Sequence, residues 1–125
     1  MKPILVINDD ASLLNEMVSV LEEGNFHYIA AKTGREAMSG ASEYDFSRVV
    51  LALKLPDMDG DSLYKKLLFN ESHYELPVAA LVDSMDSEEV AVVNKLLPRG
   101  KITLLSKPLK REWLKELFDQ YGEKK

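Results

Sequence analysis

The chain has 125 residues, 46% apolar and 30% charged, with sixteen basic against twenty-one acidic side chains, a net charge of −5 and a pI near 5.1. That size and balance suit one packed domain over 1–125 and argue against disorder, a fibrous class and a dedicated nucleic-acid or anionic-membrane surface. Without cysteine there is no disulfide or thiolate chemistry, and with neither a signal peptide nor an apolar run near ~18 residues nothing directs the chain to a membrane, so a cytoplasmic location is expected.

Pro3 to Ile7 is a short continuous apolar run that suits a buried parallel strand, with Asn8-Asp9-Asp10 at its carboxyl end. Leu13, Leu14, Met17, Val18 and Leu21 then recur at helical spacing, with Ser12 available as N-cap and Gly24 as the stop. His27 to Ala31 is a second strand, and Thr33 and Glu36 stand at capping-box spacing for a helix running to about Ala41. The run from Val49 is a third strand, halted by the turn chemistry of Pro56-Asp57-Met58-Asp59-Gly60. Leu63, Tyr64, Leu67 and Leu68 give a third helix over 61–70, and Pro77 to Val82 a fourth strand. Asp86-Ser87-Glu88-Glu89 opens a fourth helix that Pro98-Arg99-Gly100 breaks near Leu97. Ile102 to Leu105 is a fifth strand before Lys107-Pro108, and the fifth helix carries Trp113, Leu114, Leu117, Phe118 and Tyr121.

Strands alternating with helices predict a doubly wound α/β domain with a parallel sheet covered on both faces, since parallel neighbours need crossover connections. Ligands of such sheets bind beyond the carboxyl ends of the strands, so the stretch from Ala52 onward lines the expected site. Periodicity alone does not fix the strand order.

Three signatures coincide in order along the chain: Ile4-Leu5-Val6-Ile7-Asn8-Asp9-Asp10, Leu55-Pro56-Asp57-Met58-Asp59-Gly60 and Ser106-Lys107-Pro108. Together they resemble the receiver domains of two-component response regulators, over nearly the whole chain. The resemblance implies the flavodoxin-like (CheY-like) strand order 2-1-3-4-5 with five helices, in a free-standing protein or the amino-terminal domain of a longer regulator.

In that family an aspartate ending the third strand takes a phosphoryl group from a histidine kinase, with Mg²⁺ held by neighbouring carboxylates. Four residues before Pro56, that position is Ala52, whose methyl group has no oxygen with which to attack. The family's phosphate-binding hydroxyl falls on Val82, the usually small residue after it on Asp83, and its aromatic switch position on Leu104. An engineered origin for Ala52 would leave those three unexplained. The sequence therefore resembles a pseudo-receiver with no catalytic residue, not an enzyme.

The resemblance assigns a residual pocket to Asn8, Asp9, Asp10, Lys54, Asp83 and Lys107, with Asp9 the principal metal carboxylate and at most weak, millimolar Mg²⁺ binding. Two readings stay open for Asp9 and Asp10, a metal set or strand-terminating residues that accept loop hydrogen bonds. Two also stay open for Lys54, an ammonium filling the vacant metal position or a solvated loop side chain. His27 and His73 lack metal-ligand spacing and suit surface or strand-edge roles.

The implied partner face, formed by the fourth helix, fifth strand and fifth helix, includes Glu88, Glu89, Lys95, Arg99 and Lys101. It would meet a protein partner, an adjoining output domain or a second copy in a homodimer. The leading expectation is a phosphorylation-independent module acting by protein recognition, with no direct nucleic-acid or membrane role. The alternative is a residual pocket that takes a small ligand or ion as a non-phosphoryl input. Phosphotransfer through Asp57 or Asp59 is disfavoured, because both stand beyond the strand end on a turn.

Overall fold

In the computed structural model, residues 3–43, 46–52, 56–57, 62–63, 78–82, 91, 102–106 and 110–121 are described. Five short strands, β1 (Ile4–Ile7), β2 (Tyr28–Ala31), β3 (Arg48–Ala52), β4 (Val78–Val82) and β5 (Ile102–Ser106), form one sheet in the order β2-β1-β3-β4-β5. Every neighbouring pair is parallel. The described helices are α1 (Ala11–Glu23), α2 (Gly34–Glu43) and α3 (Arg111–Tyr121), the last being the fifth helix expected from sequence. Of the third predicted helix only Ser62 and Leu63 are described, both helical; of the fourth only Ala91 is, also helical. The rest of both lies outside the described residues.

Strand alternation divides the core between two faces. From β1 and β3, Leu5, Ile7, Val49 and Leu51 face one side, where Ala37 of α2, Phe46 and Leu63 cover them. Ile4, Val6 and Val50 face the other, against Leu14, Met17, Val20 and Leu21 of α1 and Leu114, Leu117 and Phe118 of α3. Each fully buried Leu, Ile, Met or Phe contributes roughly 1.5–3 kcal/mol of hydrophobic stabilisation. Because β1 and β3 are buried on both faces, neither could be amphipathic, and the apolar runs Ile4–Ile7 and, after the buried Arg48, Val49–Ala52 follow.

The N-terminus of α1 differs from the sequence expectation, whereas its stop at Gly24 agrees with it. The N-cap is Asp10 rather than Ser12, which lies inside the helix: the Asp10 carboxylate accepts from Leu13 N at 3.2 Å. Asp10 precedes the first helical turn in extended backbone and so reaches the free amides of the helix start, as Ser12 cannot. Gly24 is the C-cap, but at φ −84° it needs no glycine freedom. The left-handed residue is Asn25 at φ 56°, and Asn25 N donates to Glu22 O while Phe26 N donates to Leu21 O. These are the paired bonds of a Schellman ending. What demands glycine at 24 is packing, since a Cβ there would lie 2.6 Å from Cε2 of Phe26.

On the predicted box at α2, Thr33 Oγ1 accepts from Glu36 N at 3.1 Å, while the Glu36 carboxylate reaches back to Lys32 N at 2.8 Å. Arg111 at the start of α3 ties that helix to α1, donating to Glu16 at 2.9 Å and pairing with Glu23 at 2.5 Å.

Candidate functional site

The strand order reverses direction between β1 and β3, the neighbours at which a chain wound outward to β2 returns to build the other half of the sheet. At such a switch point the crossovers diverge and leave a crevice at the carboxyl edge. The residues at this edge are Asn8, Asp9 and Asp10 after β1, and Ala52 ending β3.

Asn8 still follows the sheet, because its N–H donates to Ala31 O at 3.0 Å beyond the last β1 pair. The register Ile7↔Leu51 extended by one residue sets Asn8 beside Ala52. Alternation then puts both on the face of Val6 and Val50. Ala52 is still buried, at 8% exposed, but less completely than Val49, Val50 and Leu51, which are at most 1% exposed.

Asn8 is 2% exposed, and its Oδ1 accepts from Asp10 N at 2.9 Å, a local Asx bond that fixes the bend out of β1. Only the amide oxygen can accept, so Nδ2 is the remaining polar atom, buried and without a hydrogen-bond partner among the described residues. Asp9 and Asp10 are exposed, and Asp10 serves as the α1 cap.

Among the described residues, the donors at this edge fall short of a Mg²⁺ set, which takes six oxygens in near-octahedral geometry, commonly one or two carboxylates with waters. Asn8 turns its oxygen to Asp10 N and offers an N–H donor in its place, and Asp10 is engaged with α1. No group of three or more His, Cys, Asp or Glu able to hold a metal ion occurs among the described residues.

Val82 ends β4 in register with Ser106, and Leu104 stands mid-strand opposite Ala80. Lys54, Asp83 and Lys107 lie outside the described residues, as do Glu88, Glu89, Lys95, Arg99 and Lys101 of the expected partner face and His73. His27 is half-buried at the β1–β2 edge, where its carbonyl accepts from Ile4 N at 2.9 Å. Trp113 is exposed beneath the Lys110 ammonium, 5.2 Å from the ring centroid, while Phe118 is core. Among the described residues no helix is long and apolar enough to cross a membrane.

Spacing gave no sign of one further contact. Asp57, five residues past Ala52, turns its carboxylate onto the N-terminus of α2: Oδ1 accepts from Gly34 N at 2.8 Å and Oδ2 from Arg35 N at 2.9 Å. The Gly34 bond, with the Arg35 amide and the Arg35 charge, holds the exposed carboxyl below the usual aspartate range. With both oxygens committed to amides, Asp57 is a structural anchor.

The family model for the response regulator receiver domain matches residues 4–119. Among curated relatives, a hybrid signal transduction histidine kinase L of Dictyostelium discoideum is 25% identical over 96% of this chain and 7% of its own length. A protein-glutamate methylesterase/protein-glutamine glutaminase of Rhodospirillum rubrum is 26% identical over 86% of this chain and 28% of its own length. The chain thus spans well under a third of both relatives. Among solved structures, the chemotaxis response regulator CheY4 of Vibrio cholerae superposes with a TM-score of 0.83 at 21% identity, covering 96% of this chain and 98% of that one. The Francisella response regulator 1452 receiver domain does so with a TM-score of 0.79 at 25% identity, covering 96% and 95%. With its flavodoxin-like parallel sheet and its acidic residues beyond β1, the chain belongs to the response regulator receiver domain family.

Proposed function

We propose that this receiver domain works in two-component signalling as a pseudo-receiver, without accepting a phosphoryl group, and acts by recognising a protein partner or an adjoining domain in the cytoplasm. The observation that carries the reading is Ala52, a buried methyl group at the carboxyl end of β3, one residue past the Ile7↔Leu51 pair. An aspartyl phosphate needs a carboxylate nucleophile, and at this position there is none. Val82 and Leu104, where the family resemblance expects a hydroxyl and an aromatic, support the same reading. The domain has no enzymatic activity of its own in this reading, and Asp9 binds Mg²⁺ weakly or not at all. The relatives' names carry kinase and methylesterase activities, so the matched segment accompanies different outputs in different proteins. Glu88, Glu89, Lys95, Arg99 and Lys101 remain the proposed partner face, for another protein or a second copy.

The test is intact mass after incubation with acetyl phosphate and Mg²⁺. The expected result is an unchanged mass and no Mg²⁺-dependent change in Trp113 fluorescence. A gain of one phosphoryl mass that hydroxylamine removes would overturn the reading.

A second reading draws on Asn8 Nδ2, which has no hydrogen-bond partner among the described residues, a loss of about 1–3 kcal/mol that an acceptor on a small ligand would recover. Here the pocket of Asn8, Asp9, Asp10, Lys54, Asp83 and Lys107 takes a ligand as its input. Saturable shifts of the Asn8 side-chain amide on ligand titration separate this from recognition of a protein alone.

A further inference from the structure

The sheet ends at β2, and the outer edge of that strand is open. Ile4 N donates to His27 O and Asn8 N to Ala31 O, so by the β1–β2 register His27, Ile29 and Ala31 turn their backbone polar groups toward β1. Along a strand these groups alternate in direction, which leaves the N–H and C=O of both Tyr28 and Ala30 pointing outward. Among the described residues nothing takes these four groups. The next outward amide, Lys32 N, is already taken by the Glu36 carboxylate at 2.8 Å. Tyr28–Ala31 carries neither a charge nor a proline, two devices that keep exposed edges from pairing.

The open groups are symmetric about Ile29. Antiparallel pairing with a second β2, on a two-fold axis through Ile29, sets Tyr28 opposite the other copy's Ala30 and Ala30 opposite its Tyr28, each as a doubly hydrogen-bonded pair. Every open group of both copies is then satisfied, and the ladder stops where Glu36 covers Lys32 N. The side chains fit the same register. Tyr28 lies on the α1 face, and alternation puts the small, exposed Ala30 on that face too, so the ring of one copy meets the methyl of the other. Charge selects the direction of pairing. Glu22 is exposed and accepts from the Tyr28 hydroxyl at 2.6 Å, while the exposed Lys32 follows Ala30 on the same face. The antiparallel register carries the Lys32 ammonium of one copy past Tyr28 of the other toward its Glu22. A parallel arrangement would set each end of the edge against its like.

We propose that β2 is a self-association edge, through which two copies of this chain join antiparallel at Tyr28 and Ala30 into one continuous sheet. The edge shares no residue with the partner face proposed above and involves no phosphoryl chemistry, so it stands apart from whether Ala52 leaves the domain unable to accept a phosphoryl group.

The test is sedimentation velocity on the full chain from micromolar to millimolar concentration, with residue-resolved amide hydrogen exchange at both limits. The expected result is a concentration-dependent dimer, with exchange at Tyr28 and Ala30 slowed several-fold at the high limit and Ile29, already bonded to β1, unchanged. Ala30→Pro removes an outward N–H that bonds nothing within the chain, a place where an edge strand accepts proline, and should give a monomer whose β1 and β3 amides stay protected. Lys32→Glu should weaken the dimer several-fold and Glu22→Lys in the same chain should restore it, a comparison that decides the matter if the proline variant does not fold. A monomer at every concentration would overturn the proposal. So would a dimer in which Tyr28 and Ala30 exchange freely, or one that a folded Ala30→Pro or, in its place, Lys32→Glu leaves intact.

Discussion

The carboxylate of Asp57 sits across the first two amides of α2, 2.8 Å from Gly34 N and 2.9 Å from Arg35 N, and so joins the exit of β3 to a helix more than twenty residues earlier in the chain. Its folded pKa is lowered, so the ionised form is the one the fold favours. The stabilisation is complete above the unfolded value of 3.8 and is lost as pH falls through the folded value below it. In an acid titration followed by NMR, the Asp57 carboxyl carbon should therefore titrate below 3.8, with the Gly34 and Arg35 amide shifts tracking it. A midpoint at or above 3.8 would contradict the bonded geometry.

Gly24 and Asn25 separate packing from backbone conformation. Gly24→Ala drives a Cβ into Phe26, which is 3% exposed and meets Phe118 in a tilted arrangement with ring centroids 6.1 Å apart, so the ring has little room to yield. Denaturant unfolding should show a loss of about 1–3 kcal/mol. Asn25→Gly keeps the left-handed turn and should change stability by less than about 1 kcal/mol.

Two of the aromatics of α3, Trp113 and Phe118, should behave oppositely. Phe118 is fully buried between α1 and the sheet, and Phe118→Ala should cost about 3–5 kcal/mol. Trp113 is 42% exposed and meets the Lys110 ammonium, so Trp113→Ala should cost less than about 1 kcal/mol in the same unfolding experiment.

Arg111 draws Glu23 below the ordinary carboxylate range, through their hydrogen bond first and their charges second. A depressed carboxyl stabilises the fold above its unfolded pKa of 4.5 and loses that stabilisation as pH falls through its folded value. Arg111→Ala should flatten the acid limb of the stability profile in that window and reduce the effect of added salt, because both partners are solvent-accessible.

At the opposite extreme, the Tyr28 hydroxyl donates to Glu22 at 2.6 Å, and that bond, followed by burial, raises its pKa above 10.0. The bond stabilises the fold fully below 10.0 and is lost as pH rises through the folded value. Alkaline difference absorbance should show one tyrosine titrating late, and Glu22→Gln should bring it earlier.

Local order determined much of this protein. The apolar runs at Ile4–Ile7 and Val78–Val82 announced buried strands, the 3.6-residue period of Leu14, Met17 and Leu21 announced α1, and Thr33 with Glu36 announced the start of α2. These signals are legible because the contacts behind them lie within a turn or a strand, where spacing and geometry are the same thing. The strand order came instead from resemblance, since periodicity carries no information about which strand lies beside which.

Tertiary structure alone decided the contacts that close over long separations. It set Asn8 beside Ala52 by strand register, gave α2 the carboxylate of Asp57, bound Arg111 to Glu16 and Glu23, and made Gly24 obligatory through the ring of Phe26. The sequence could name Ala52 as a position without an acceptor, but not its neighbour. A side chain's type limits what it can bond to, whereas its partner depends on which segments the fold brings within about 3 Å.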